Sequence, residues 1–178
     1  RHVGKTTLDR WCASQLLQIP LNQIDRAADL LQIGLSIDEK TGKLKKDVTI
    51  EQIRSVVSFA SQSAFQPQGV KVIIITDVEL MNRSAANALL KSLEEANPHT
   101  YFFLVANDVA TFLPTIKSRA VTLELALVPT STLEKAVELN CGDETALMVK
   151  AARGLPGRLI TWTTDIEAWT QEKKMKKD

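Results

Sequence analysis

Apolar side chains recur along this chain in two periods, and the switches between them divide it into elements. Leu8, Trp11, Cys12 and Leu16 fall at helical spacing and predict an opening helix that Pro20 breaks. Asp29 to Leu35 reads as a short strand. Thr41-Gly42, amid the charged run from Asp38 to Lys46, reads as a polar turn at a hairpin tip. Thr49 caps the next helix, and Gln52 three residues on completes a capping box. Ile50, Ile53, Val57 and Ala60 are expected to form that helix's buried face. Pro67-Gln68-Gly69 turns the chain into Val70–Thr76, a β-branched run suited to a central parallel strand buried on both faces.

Asn82 is the expected N-cap of another helix, lined by Ala86, Leu89, Leu90 and Leu93 and ended by Asn97-Pro98. Tyr101–Ala106 reads as a second buried strand, Phe112–Ser118 as a short helical or irregular stretch, and Val121–Leu125 as a third such strand. Strands alternating with helices imply an α/β fold with a parallel sheet covered on both sides. The character changes at Leu127-Val128-Pro129-Thr130. Beyond it only short helical patterns follow, Thr132–Leu139, Asp143–Ala152, Leu155–Trp162 and Asp165–Lys174. The expected organisation is an α/β domain over residues 1–126 and a small all-helical module over 127–178.

Bulk properties narrow the function classes. In 178 residues, 44% hydrophobic and 24% charged content is ordinary for a globular protein. A net charge of +1 leaves no global nucleic-acid footprint, so contact with DNA would be local or delegated to partners. No apolar stretch approaches the roughly 20 residues a membrane span needs. Cys12 and Cys141 stand far apart without C-x-x-C or His spacing, which predicts no zinc site and a reduced, cytoplasmic setting. His2 and His99 read as solvated, and the terminal lysines, Lys173 to Lys177, as a solvated helix end. Trp11, Trp162 and Trp169 are not spaced as a base-stacking platform and are expected to pack in the core or the helical module.

Gly4-Lys5-Thr6-Thr7 carries the first chemistry. It matches the second half of a phosphate-binding loop, G-x-x-x-x-G-K-[ST], which opens a helix. Such a loop cradles phosphates with backbone N–H groups, neutralises β/γ oxygens with Lys, and ligates Mg²⁺ through its hydroxyl, here Thr6. The loop's first Gly would precede residue 1, which predicts that the natural chain starts upstream.

A phosphate loop on an α/β domain followed by a helical lid is the AAA+ plan. Within it, Gly69 to Glu95 resembles the central stretch of bacterial DNA polymerase III clamp-loader subunits, most distinctively at Asn87-Ala-Leu-Leu-Lys-Ser-Leu-Glu-Glu95. Tyr101-Phe-Phe-Leu-Val-Ala-Asn107 and Thr115-Ile-Lys-Ser118-Arg119 continue the resemblance without a gap. The segment from Pro20 to Val48 is less family-like and lacks the four-cysteine zinc module many relatives insert there.

The resemblance implies roles. Thr76-Asp77 occupies the position where active members carry Asp-Glu, the pair that orders Mg²⁺ and polarises the attacking water. A one-residue slip would make Asp77 the metal-ordering acid, with Val78 in place of the Glu. In either register the pair is incomplete, which predicts slow or absent hydrolysis and resembles delta-prime rather than gamma/tau members. Glu79, two residues beyond the strand end, is expected to be solvated. Asn107 resembles the residue that reads the γ-phosphate. Arg119 resembles an arginine finger donated to a neighbour's ATP, although Ala120 stands where the family carries Cys. Arg158, after the Gly154-Leu-Pro-Gly157 turn, resembles the lid arginine that senses phosphate.

The implied cofactors are ATP or ADP with Mg²⁺ at a degenerate site. The implied partners are gamma/tau and delta subunits, with the sliding clamp and primed DNA reached through the assembled complex. The family's C-terminal collar is not in this sequence. A gamma/tau-type ATPase remains the rival within the fold, and a stand-alone nucleotide kinase the rival outside it.

Overall fold

A computed structural model of the protein describes residues 3–37, 42–66, 69–108, 110, 113–137 and 144–175. Expectations that fall on His2, Thr41, Pro67-Gln68, Phe112, Leu139, Cys141, Asp143 or the lysines at 176 and 177 lie outside those residues. The chain divides into two compact units, one of Thr6–Thr122 and the other of Leu123–Asp178 with Arg1–Lys5.

Strand β2, Lys71–Ile75, organises the first unit, and all five of its residues are buried. It lies between β1 (Leu30–Ile33) and β3 (Thr100–Leu104), parallel to both. Val72 pairs with Leu30 and Tyr101, and Ile75 with Ile33 and Leu104. Successive side chains leave a strand on opposite faces. Val72 and Ile74 accordingly share an apolar cluster with Ala13 of α1 (Lys5–Leu17) and with Ile24. Ile73 and Ile75 share another with Ile53 and Val56 of α2 (Ile50–Ser61) and Ala85 and Leu89 of α3 (Arg83–Glu95). A strand covered on both sides needs an apolar residue at every position, which is why Val72–Ile75 is continuous rather than alternating. Burial of each isoleucine contributes about 1.5–3 kcal/mol.

Lys71 is the polar exception. Its Nζ donates to the Phe59 carbonyl at 2.7 Å and sits 4.0 Å from the Phe59 ring centroid. That places a cation against the last turn of α2, where the helix dipole is negative.

Capping follows the sequence closely. The Thr49 N–H donates to Gln52 Oε1 at 3.0 Å, closing the return arm of the capping box, and Asn82 accepts from the Ala85 N–H at 2.9 Å. Gln52 Nε2 also donates to the Gly34 carbonyl at 2.7 Å, tying α2 to the chain leaving β1. Helix phase is less faithful. Val56 rather than Val57 is buried, because a three-then-four step and a four-then-three step both hold one helix face. Ile37 and Leu44 bridge in the antiparallel sense on either side of the expected hairpin tip.

Two expectations fail. Trp11 is 52% exposed, and α1 turns Ala13 and Ser14 inward instead, since small residues let the helix approach Val72 and Ile74. The stretch that follows, Leu21–Arg26, is a 3-10 turn that no apolar period announces. Arg10 pins it through paired hydrogen bonds to Asp25 at 2.6 and 2.7 Å. Val121–Leu125 is not a strand, and Val121 is 98% and Leu123 72% exposed. Alternation specifies two faces, but a strand exists only where a neighbour completes its ladder, and none does so here among the described residues.

After β3 the first unit adds α4, Pro114–Lys117, whose Ile116 reaches the α2–α3 cluster. The second unit holds α5 (Thr130–Val137), α6 (Thr145–Ala152), α7 (Pro156–Thr164) and α8 (Ile166–Met175). Its core joins Leu133, Met148, Val149 and Leu159 to Trp162 and Trp169, each indole-bearing residue 4% exposed. The two rings lie 5.0 Å apart, tilted by 51°, and Trp169 Nε1 donates to Glu144 Oε2 at 2.8 Å.

Gly154 ends α6 with φ +77°, and its carbonyl accepts the Val128 N–H at 2.9 Å. A Cβ there would stand 2.8 Å from Leu127 Cβ and 3.0 Å from the Val128 carbonyl oxygen. Gly154→Ala is therefore expected to destabilise the helical unit by about 2 kcal/mol through left-handed strain and a backbone clash. Denaturant unfolding followed by tryptophan fluorescence, with Trp162 and Trp169 as reporters, checks this; an unchanged midpoint contradicts it.

Candidate functional site

Ligands in open parallel sheets bind beyond the carboxyl ends of the strands. At that end β2 continues into Thr76, whose N–H donates to the Ile33 carbonyl at 2.9 Å. The Thr76 hydroxyl donates to the same oxygen at 3.4 Å. Gly34 lies directly against it, for a Cβ on Gly34 would fall 2.0 Å from Thr76 Oγ1 and 3.8 Å from Asp77 Oδ2. Thr76 is thus wedged against the end of β1, with a neutral side chain that cannot balance a cation's charge.

Asp77 is left-handed, with φ 53° and ψ 39°. Asp tolerates that region better than most side chains. The turn bends the chain from β2 into a 3-10 turn at Val78–Leu80, held by the Leu80 N–H to the Asp77 carbonyl at 2.9 Å. Its consequence is the position of Glu79. Glu79 Oε1 accepts from Asn107 Nδ2 at 2.7 Å and from the Asn107 N–H at 3.1 Å. Glu79 Oε2 is buried without a hydrogen-bond partner. The expectation that Glu79 is solvated is overturned, because the tight turn after Asp77 swings it onto the end of β3.

At the N-terminus Gly4 has φ +92°, and a Cβ there would meet nothing within 4 Å. Lys5 opens α1, followed by exposed Thr6 and Thr7. The first turn of α1 carries no acidic residue, so its N–H groups and positive dipole end suit an anion. Gly4 and Lys5 group with the helical unit, Thr6 and Thr7 with the sheet unit.

Arg119 follows α4. One guanidinium nitrogen pairs with Glu94 at 2.5 Å and another donates to the Thr115 carbonyl at 3.0 Å. The Arg119 and Glu94 side chains are 40% and 51% exposed. Arg158 stands in the first turn of α7, which Pro156 starts, with its guanidinium carbon 5.7 Å from the Trp162 ring centroid. Among the described residues, no three His, Cys, Asp or Glu side chains group to hold a metal ion, and no helix is long and apolar enough to cross a membrane. Sequence reasoning missed Glu94 and the wedge of Gly34 on Thr76, and misplaced Glu79. The only available signal was the D-x-E spacing across a tight turn.

A family model described as DNA polymerase III, delta subunit, matches residues 23–129. The chain belongs to that family. The delta-prime subunit of DNA polymerase III from Pseudomonas aeruginosa is 38% identical over 127 residues, which are 67% of this chain and 38% of that protein. The delta-prime subunit from Haemophilus influenzae is 42% identical over 82 residues, 46% of this chain and 25% of that protein. The chain thus spans well under half the length of these delta-prime relatives. A crystal structure of a DNA polymerase III gamma-subunit-related protein from Thermotoga maritima superposes with a TM-score of 0.63 at 24% identity, covering 86% of this chain and 48% of that one. That likeness shows a shared fold, an α/β unit with a parallel sheet followed by a helical part.

In this delta-family chain Gly34 sets where Thr76 and Asp77 stand. Gly34→Ala is expected to cost about 1–3 kcal/mol, because a methyl group must displace the Thr76 side chain at a packed strand end. Thermal unfolding checks it. Gly34→Ala combined with Thr76→Gly should recover the loss of the clash, and a double variant no better than the single one rules the wedge out.

Proposed function

We propose that this chain acts as a delta-prime-type subunit of a DNA polymerase III clamp loader, a nucleotide-holding module with little turnover that lends Arg119 to a neighbour's ATP site. The observation that carries the reading is the end of β2. Hydrolysis of a nucleotide needs one acid to order Mg²⁺ and another to polarise water. Here the first position holds Thr76, turned to the Ile33 carbonyl, and the second holds a left-handed Asp77.

The residues fit a bound nucleotide all the same. Gly4 has the left-handed backbone and open space that a phosphate cradle needs, ahead of a helix whose first turn is free of acids. In this reading Gly4, Thr7 and the N–H groups around them would hold phosphate, Lys5 would neutralise it, and Thr6 would ligate the Mg²⁺ that accompanies ATP or ADP. Asp77, Asn107 and Arg158 are the further residues that the family resemblance assigns to nucleotide. A bound ATP would supply the phosphates and their charge; this chain's residues hold and orient them.

Arg119 suits donation in trans because little holds it back. An exposed ion pair such as Arg119–Glu94 is worth about 0–1 kcal/mol. An arginine finger lowers a phosphoryl-transfer barrier by about 10³–10⁵-fold in rate. Release of Arg119 from Glu94 is therefore a small cost beside what the finger contributes in the transition state. The neighbours are gamma/tau-type and delta subunits, and the sliding clamp and primed DNA are engaged through the assembled complex.

The purified protein is expected to turn over no ATP above background. In complex with gamma-type subunits, Arg119→Ala should lower turnover at the adjacent site by about 10³-fold, while Glu94→Ala leaves it essentially unchanged. ATP turnover by the protein alone, abolished by Lys5→Ala, would instead make it a gamma/tau-type ATPase.

A further inference from the structure

We infer that the cavity at the amino ends of β2 and β3 binds a small monocarboxylate, with the Lys71 ammonium as its charged anchor.

The cavity measures about 200 Å³, opens to solvent, and is lined by Gln62, Gln66, Lys71, His99 and Thr100 among others. It lies within the sheet unit, at the opposite end of the strands from Thr76 and Asn107. A cavity of about 150 Å³ holds a benzene-sized molecule, whereas drug-sized ligands occupy about 300–1,000 Å³. The space therefore suits one acid group on a short tail.

Its walls are held by hydrogen bonds that need no ligand. On one side the Phe65 N–H donates to both oxygens of Asp29, at 2.8 and 3.0 Å. The Gly69 N–H closes onto the Gln66 carbonyl at 2.9 Å, and a Cβ on Gly69 would stand 2.9 Å from that same oxygen. On the other side the His99 N–H donates to Asn97 Oδ1 at 3.1 Å and the Thr100 N–H to the Asn97 carbonyl at 2.8 Å.

Lys71 decides which ligand fits. The residue is 4% exposed, and of the three donors on an ammonium one meets the Phe59 carbonyl. No carboxylate lies within ion-pair distance of it among the described residues. Asp29 favours the ammonium from further off, but its oxygens are engaged by Phe65. The end of α2 offers only about half a negative charge. Burial accordingly holds the Lys71 pKa below the ordinary lysine value, against the pull of Asp29. A carboxylate in the cavity returns what burial removed, an opposite charge and acceptors for the remaining donors. Phosphate fits less well. Phosphate sites use helix N-termini, whereas α2 and α3 both end beside this cavity and present carbonyls that repel a dianion.

The test is titration of the isotope-labelled, purified chain at constant ionic strength, read at the amide resonances of Gln66, His99 and Thr100. Propionate stands for a free small acid, N-acetylglutamate amide for an acidic side chain of another protein, and inorganic phosphate for anions at large. At least one carboxylate should give saturating shifts with a Kd of roughly 1–10 mM, and phosphate none. The tighter of the two carboxylates identifies the source. Lys71→Met keeps the length, removes the charge, and should weaken carboxylate binding by about tenfold or more. Ser63→Phe fills the cavity from its exposed wall, leaves the ammonium in place, and should abolish saturation; it carries the test if Lys71→Met does not fold. Absence of saturation by either carboxylate, or equally tight binding of phosphate, overturns the inference. So does an affinity unchanged in Lys71→Met, or in Ser63→Phe where the first variant is unfolded.

Discussion

Burial of β2 on both faces is the constraint from which the sheet unit follows. Val72 and Ile74 meet α1, while Ile73 and Ile75 meet α2 and α3, so no position in the strand can tolerate a charge. Lys71 is admitted only because it stands at the strand's first residue, with the Phe59 carbonyl and ring to receive its ammonium. Parallel pairing with β1 and β3 then puts all three carboxyl ends on one edge. Thr76, Asp77 and Asn107 come to that edge as a consequence of register, without being adjacent in sequence.

At this edge the balance of charge decides the chemistry. In the proposed function the start of α1 supplies positive potential for phosphate. A working hydrolase would answer with carboxylates placed to hold Mg²⁺ and activate water. Here the carboxylate that the fold does deliver, Glu79, is bonded to Asn107 instead. Its two hydrogen bonds offset the cost of an oxygen buried without a partner, which is about 1–3 kcal/mol for such a group.

Arg119 presents the opposite case. Its contacts with Glu94 and Thr115 are exposed and weakly held, so the guanidinium can be exchanged to a stronger anion. In the proposed function, that exchange is what Arg119 contributes to a neighbour's site.

Much of this architecture is written locally. The run Val72–Ile75 announces a doubly covered strand, and the capping residues Thr49, Gln52, Asn82 and Pro156 mark their helices, because these signals act over one turn of backbone. The half phosphate loop and the Thr76-Asp77 pair are read from spacing alone, and their roles belong to the proposed function. What sequence alone misjudged depends on partners distant along the chain. Val121–Leu125 alternates like a strand but has no ladder to join, Trp11 yields its inward place to Ala13, and Val56 displaces Val57 by a choice of helix phase. Gly34 is an ordinary glycine until the fold sets it against Thr76, 42 positions on in sequence by their numbers. Glu79 and Asn107, 28 residues apart, meet only because a left-handed Asp77 turns the end of one buried strand onto the end of the next. Local patterning determined the strands and the caps; the packing of β3 beside β2 decided which carboxylate meets Asn107.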